Sequence, residues 1–136
     1  MLRVRKMTDK DLVVVDDDYQ RELYAWAIKE NSELSLAILD EKGILCLCGC
    51  IITWHGVGEI WLKLVRKDHL KSLIKELRRL LQLGAKKFQL RRLHAYVDTD
   101  FDKGRRFIEF LGFEKEGLLR KYSYYGKDQF IYSRLF

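Results

Sequence analysis

Glu59-Ile60-Trp61-Leu62-Lys63-Leu64-Val65 is followed, past Arg66 and Lys67, by Asp68-His69-Leu70-Lys71-Ser72-Leu73-Ile74-Lys75-Glu76-Leu77-Arg78-Arg79-Leu80-Leu81-Gln82-Leu83-Gly84, and then by Phe88-Gln89-Leu90-Arg91-Arg92-Leu93-His94-Ala95-Tyr96-Val97. The outer runs are apolar and aromatic and have the length of strands. The middle run sets Leu70, Leu73, Ile74, Leu77, Leu80 and Leu81 in one helical stripe, opposite Lys71, Lys75 and Arg78. Asp68 is placed to cap this helix and Gly84 to end it. A strand, a helix and a strand joined by short connections make a right-handed βαβ unit. Residues 59–65 and 88–97 are therefore expected to lie side by side and parallel.

Upstream, residues 2–6 read as a short strand, and Thr8 can cap a helical turn over residues 9–12. Residues 19–30 place Leu23, Trp26 and Ala27 at helical spacing and end at Asn31. Residues 34–39 and 44–54 flank the turn Asp40-Glu41-Lys42-Gly43 and read as a β-hairpin. Downstream, a helix over residues 103–111 is stopped by Gly112, and residues 118–125 and 129–135 read as two antiparallel strands linked through Gly126-Lys127-Asp128. The expected architecture is mixed α/β (α+β), with a mostly antiparallel sheet, one parallel pair and flanking helices.

A chain of 136 residues, 48% hydrophobic and 34% charged, can close one core and stay in solution, so a single domain over residues 1–136 is expected. No linker, repeat or low-complexity tract divides it, and there is no proline. The opening Met1-Leu2-Arg3-Val4-Arg5-Lys6 lacks the apolar run of a signal peptide, and no segment is long and apolar enough to span a bilayer; a cytoplasmic protein is expected. Cys46, Cys48 and Cys50 alternate along a strand, with neighbouring Cβ atoms about 6.5–7 Å apart. That separation is too long for a disulfide, and a straight strand cannot bring three sulfurs to one tetrahedral metal. Buried structural thiols are the expectation, and no metal site is assigned. The net charge of +6 implies an acidic partner, such as a phosphate-bearing cofactor or nucleic acid.

A family pattern is carried by Arg106-Phe107-Ile108-Glu109-Phe110-Leu111-Gly112-Phe113-Glu114-Lys115-Glu116-Gly117, followed by Arg120 and by Asp128-Gln129-Phe130-Ile131-Tyr132-Ser133. These residues resemble the GNAT superfamily of N-acetyltransferases, especially the branch acting on ribosomal-protein N-termini. Gly112 supplies the left-handed stop of a helix and Phe113 re-enters the core. The order of elements in the rest of the chain is similar to that family too.

The resemblance implies acetyl-CoA as cofactor, its pyrophosphate resting on backbone N–H groups at the start of the central helix, as helix N-termini favour. That region is residues 65–72, with Val65, Arg66, Lys67, His69, Lys71 and Ser72 as candidate contacts. The family's loop is glycine-rich, whereas this chain has no glycine between Gly58 and Gly84, so Arg66, Lys67 and Lys71 would have to supply charge instead. A capping Asp68 would compete with the anion. The tyrosine that many members use as acid falls at Ile108, and an asparagine of the ribosomal-protein branch falls at Phe101. By the same resemblance Glu59 is the first candidate for the base and His94 the second. An exposed strand-end carboxylate and a satisfied, partly buried histidine remain the alternative readings of these two side chains.

Three functions follow. The leading one is an acetyl-CoA-dependent N-acetyltransferase acting on an amine, a protein N-terminus or a small basic molecule. The second is a catalytically degenerate binding or structural protein of the same fold, as some bacteriophage virion-associated proteins look to be. The third is nucleic-acid binding through Lys71, Lys75, Arg78 and Arg79.

Overall fold

The computed structural model describes residues 1–136, apart from the side chain of Ser32. The described residues form seven strands and three α-helices: β1 (Arg3–Lys6), α1 (Asp18–Glu30), β2 (Ser35–Asp40), β3 (Gly43–Trp54), β4 (Val57–Leu64), α2 (Leu70–Lys87), β5 (Arg92–Asp98), α3 (Asp102–Phe110), β6 (Glu114–Leu119) and β7 (Gln129–Leu135). The strand order is β1-β2-β3-β4-β5-β7-β6. β4 and β5 run parallel, pairing Val57, Gly58 and Glu59 with Arg92, Leu93 and His94. The pairs β1–β2, β2–β3, β5–β7 and β6–β7 are antiparallel. The mixed sheet with one parallel pair is as expected.

The chain divides into two compact units, one of residues Met1–Ile51 and Ile60–Ser72, the other of Ile52–Glu59 and Leu73–Phe136. In the first, Met7, Leu12, Val15, Tyr24, Ala37, Leu39 and Leu47 form a buried cluster against which Leu23, Ile28, Ile44 and Trp61 pack. Tyr24 stacks on Trp61 with ring centroids 4.3 Å apart. The turn after Thr8 is a 3-10 helix (Asp9–Val14), closed by a capping box in which the Thr8 amide donates to Asp11 at 2.8 Å. Asp17 caps α1 by accepting from the Gln20 amide. α1 buries Tyr24 and Ala27, while Trp26, which the spacing put on the inner face, is 47% exposed. The stripe runs through Tyr24, Ala27 and Ile28, an i, i+3, i+4 set displaced from the Leu23–Trp26 one.

α2 buries Leu73, Leu77 and Ala85, with Ile74, Leu80 and Leu81 half-buried and Lys71, Lys75 and Arg78 exposed. Two features of α2 correct the reading from sequence. The helix starts at Leu70, two residues after Asp68, whose carboxylate accepts from Arg66 instead of capping. At its other end the helix passes through Gly84 to Lys87, because Ala85, Lys86 and Lys87 are strong helix formers and two lysines favour the C-terminal dipole. The stop comes at Gln89, left-handed at φ 55°, where the Gln89 amide donates to Lys86 O and the Leu90 amide to Ala85 O. Residues 88–91 are thereby taken from the expected strand, and β5 begins at Arg92.

α3 ends as foreseen, on Gly112 at φ 91°, with the Gly112 amide donating to Glu109 O, the Phe113 amide to Ile108 O, and Phe113 buried. β6 covers Glu114–Leu119 and not residues 118–125. Residues 120–128 form the connecting loop, held by the Lys121 amide donating to Asp128 and the Tyr122 and Ser123 amides to Lys127 O. Tyr122, Tyr124 and Tyr125 suggested a strand by propensity, but all three are exposed.

Candidate functional site

The parallel register sets Glu59 directly beside His94, and their side chains meet: Glu59 Oε1 lies 4.0 Å from His94 Nε2. Alternation along β5 puts Arg92 and Tyr96 on the same face as His94. Tyr96 meets His94 edge-on, with centroids 5.6 Å apart, and Tyr122 lies 5.0 Å from Tyr96. Across the antiparallel pairing, Ser133 is opposite His94. Ser133 Oγ donates to Glu116, which also takes both ends of the Arg92 guanidinium, at 2.6 and 3.0 Å. Glu116 reaches them because the β6–β7 register shifts between Lys115 and Gly117 and leaves Glu116 in the bulge.

Burial displaces the two candidate base groups in opposite directions. It pushes the Glu59 carboxyl up, and it pulls His94 down, helped by Arg92 and opposed by Glu116. Both shifts favour the uncharged forms. His94 Nδ1 is buried and finds no hydrogen-bond partner among the described residues. Tyr96 is pushed up to about 12 by burial and by its hydrogen bond with Tyr122, so its phenol keeps its proton at neutral pH. Glu116 is drawn down to about 2 by Arg92 and Ser133. Of this cluster the sequence reading singled out Glu59 and His94 alone. The alternation of Arg92, His94 and Tyr96 was a readable signal for two more, whereas Glu116 and Tyr122 are brought in by a bulge and a loop.

The other candidate residues lie in the first unit. Val65 and Arg66 both direct their amides to Leu45 O, at 2.8 and 3.2 Å, and are therefore not free to bind a ligand. The Arg66 guanidinium is ion-paired to Asp40 and to Asp68, and also donates to the carbonyls of Ile44 and Gly43. Burial opposes ionisation of Asp40, but Arg66 and the Lys42 amide outweigh it and hold the carboxyl below its usual range. Lys67, His69, Lys71 and Ser72 are exposed. His69 is left-handed at φ 56°, the conformation a glycine adopts without strain. The residues present fit a phosphate group by a narrower set of donors than expected. The amides that open α2 have no partner within the helix, Lys67 and Lys71 flank them, and the Asp68 carboxylate is turned to Arg66. Arg66 and Val65 drop out of that set.

Solved structures place this arrangement of strands and helices. The chain superposes on Ard1 from Thermoplasma volcanium with a TM-score of 0.84 at 14% identity, covering 98% of this chain and 97% of that one. The chain has the GNAT fold. A chimaera of the spermidine N-acetyltransferase SpeG from Vibrio cholerae and hSSAT matches with a TM-score of 0.77 at 19% identity, covering 98% and 95%. The ribosomal-protein-S5-alanine acetyltransferase from Vibrio fischeri matches with a TM-score of 0.74 at 19% identity, covering 98% and 92%. No protein-family model and no curated protein matches the sequence. Within this GNAT fold, no helix of the described residues is long and apolar enough to cross a membrane. The cysteines are thiols outside any disulfide, Cys46 and Cys48 buried and Cys50 half-buried, and the Cys46 thiol is pushed well up by its contact with Cys48 and by burial.

Proposed function

We propose that this chain is an acetyl-CoA-dependent N-acetyltransferase whose acceptor is an amine of a protein or a small molecule. The observation that carries the reading is the register pair Glu59–His94, two titratable groups 4.0 Å apart with oppositely displaced proton affinities, on a fold shared with enzymes named for acetylating amines. An amine must lose a proton to become a nucleophile, and a base works best when its proton affinity is close to the working pH. Burial raises Glu59 toward that range, so its carboxylate takes the ammonium proton. The neutral imidazole of His94 beside Oε1 leaves the carboxylate without a positive charge that would hold it ionised.

When bound, acetyl-CoA supplies an acetyl group activated as a thioester. The chain holds the cofactor's phosphates through the opening amides of α2 and the ammonium groups of Lys67 and Lys71. Ile108 is buried where the resemblance implies a tyrosine, and the phenol that stands beside His94 in this chain is that of Tyr96.

The test is acetyl transfer from acetyl-CoA to a panel of N-terminal peptides and polyamines, read as released thiol. Glu59→Gln is expected to lower the rate about 10²- to 10⁴-fold. The acid limb of the wild-type rate should sit above the ordinary glutamate range near 4.3, because a raised carboxyl is protonated, and silenced as a base, at a higher pH. Alanine at both Lys67 and Lys71 should weaken acetyl-CoA about tenfold at low salt and less at high salt. The non-catalytic reading rests on the glycine-free loop and on Arg66, whose charge is spent within the chain. Absence of both acetyl-CoA binding and thiol release in the wild type would decide for it. Nucleic-acid binding has less support, since Arg79 on the basic face of α2 is paired with Glu76.

A further inference from the structure

We propose that Asp40, Glu41 and His69 form a surface site for a divalent transition metal, zinc in the first instance. Asp40 closes β2, Glu41 begins the turn to β3, and His69 lies in the turn before α2. One donor atom from each falls within 4.8 Å of the other two. The fold brings them together across 28 residues of sequence, with His69 held in a left-handed conformation.

The stronger observation is Asp40 itself. Its side chain is 1% exposed, and its two oxygens are used differently. Oδ1 accepts from Arg66 and from the Lys42 amide. Oδ2 is buried and has no hydrogen-bond partner among the described residues, although it points at His69 Nε2, 3.4 Å away. A bare, buried carboxylate oxygen is costly unless a cation completes it. Zinc bonds of about 2.0–2.1 Å to nitrogen and oxygen, opened at the tetrahedral angle, set two ligand atoms about 3.3–3.4 Å apart. The Asp40–His69 separation matches that edge.

Charge and exposure agree. Asp40 and Asp68 share the single guanidinium of Arg66, which leaves carboxylate charge beside His69 for a cation to balance. Arg66 and the Lys42 amide fix Oδ1, as outer partners orient a metal-binding carboxylate. One imidazole and two carboxylates suit zinc, and cobalt as its spectroscopic substitute; calcium wants six to eight oxygens and magnesium a near-ideal octahedron. Glu41 and His69 are exposed, so a fourth position opens to water or to an anionic ligand.

The experiment uses the full chain, freed of metal with a chelator and titrated with zinc against a chromophoric competitor. The readout is metal binding, so it does not depend on acetyl transfer. A single zinc ion should bind at micromolar affinity or better. His69→Ala and Glu41→Gln, both at exposed positions, should each weaken it at least about tenfold, and His55→Ala should leave it unchanged. Cobalt should give a nitrogen–oxygen spectrum without a thiolate charge-transfer band. No binding at micromolar zinc, unchanged affinity in His69→Ala and Glu41→Gln, or a thiolate band pointing to Cys46, Cys48 and Cys50 would each overturn the proposal.

Discussion

Gly49 stands on β3 where no side chain can fit: a Cβ there would lie 2.4 Å from Trp61 Cζ2 and 2.6 Å from the Leu34 carbonyl oxygen. The ring is also stacked on Tyr24, so moving it aside would disturb that contact. Gly49→Ala should therefore cost about 1–3 kcal/mol, measured by urea unfolding. Glu116 makes a different kind of prediction. Its folded pKa of about 2 lies below the ordinary 4.3, so its stabilisation is fully present above pH 4.3 and is lost as pH falls toward 2. The side chain is 42% exposed, and solvent screening reduces its worth to roughly 1 kcal/mol. Glu116→Gln should remove about that much at pH 7 and flatten the acid limb of the stability curve, as followed by denaturant unfolding between pH 2 and 6. Glu59 and His94 were legible as candidates one residue at a time. That they touch follows from the register, which no spacing in the sequence states.

At the scale of the element, α2 and α3 end in the same backbone motif with different residues. Gly112 announces its stop, since glycine adopts φ 91° at no cost. Gln89 announces nothing, because its left-handed turn is imposed by the chain that follows, including the buried Leu90. Gly84, which reads as the stop, is an ordinary helical residue with open space around it. Gly84→Ala should thus stabilise the protein by about 0.5–1 kcal/mol, seen as a higher urea midpoint at unchanged slope, whereas a true left-handed stop would be destabilised by the same change. The existence and type of every long element could be read from periodicity. The boundaries that failed, at Gly84, at residues 88–91 and at residues 120–125, are those where tertiary structure overrides local preference. The Asp40, Arg66 and His69 cluster was hidden for a related reason: a hairpin turn and a helix entry meet there only once the strands are ordered.

Over the whole molecule, the order of elements and the parallel pair were legible because short connections leave few ways to wind a strand, a helix and a strand. The two compact units divide within β3, β4 and α2, and no linker marks the division in the sequence. The absence of proline has a kinetic consequence: refolding should lack the phase of tens of seconds that prolyl isomerisation imposes, and a prolyl isomerase should not accelerate it. The stack of Tyr24 on Trp61 supplies a lamp for watching this. Trp26 and Trp54 are 47% and 63% exposed, so phenylalanine at both positions leaves Trp61 as the sole indole at little structural expense. Trp61 emission then changes as Tyr24 stacks against the indole at 4.3 Å, and becomes an optical clock for the closing of the first unit.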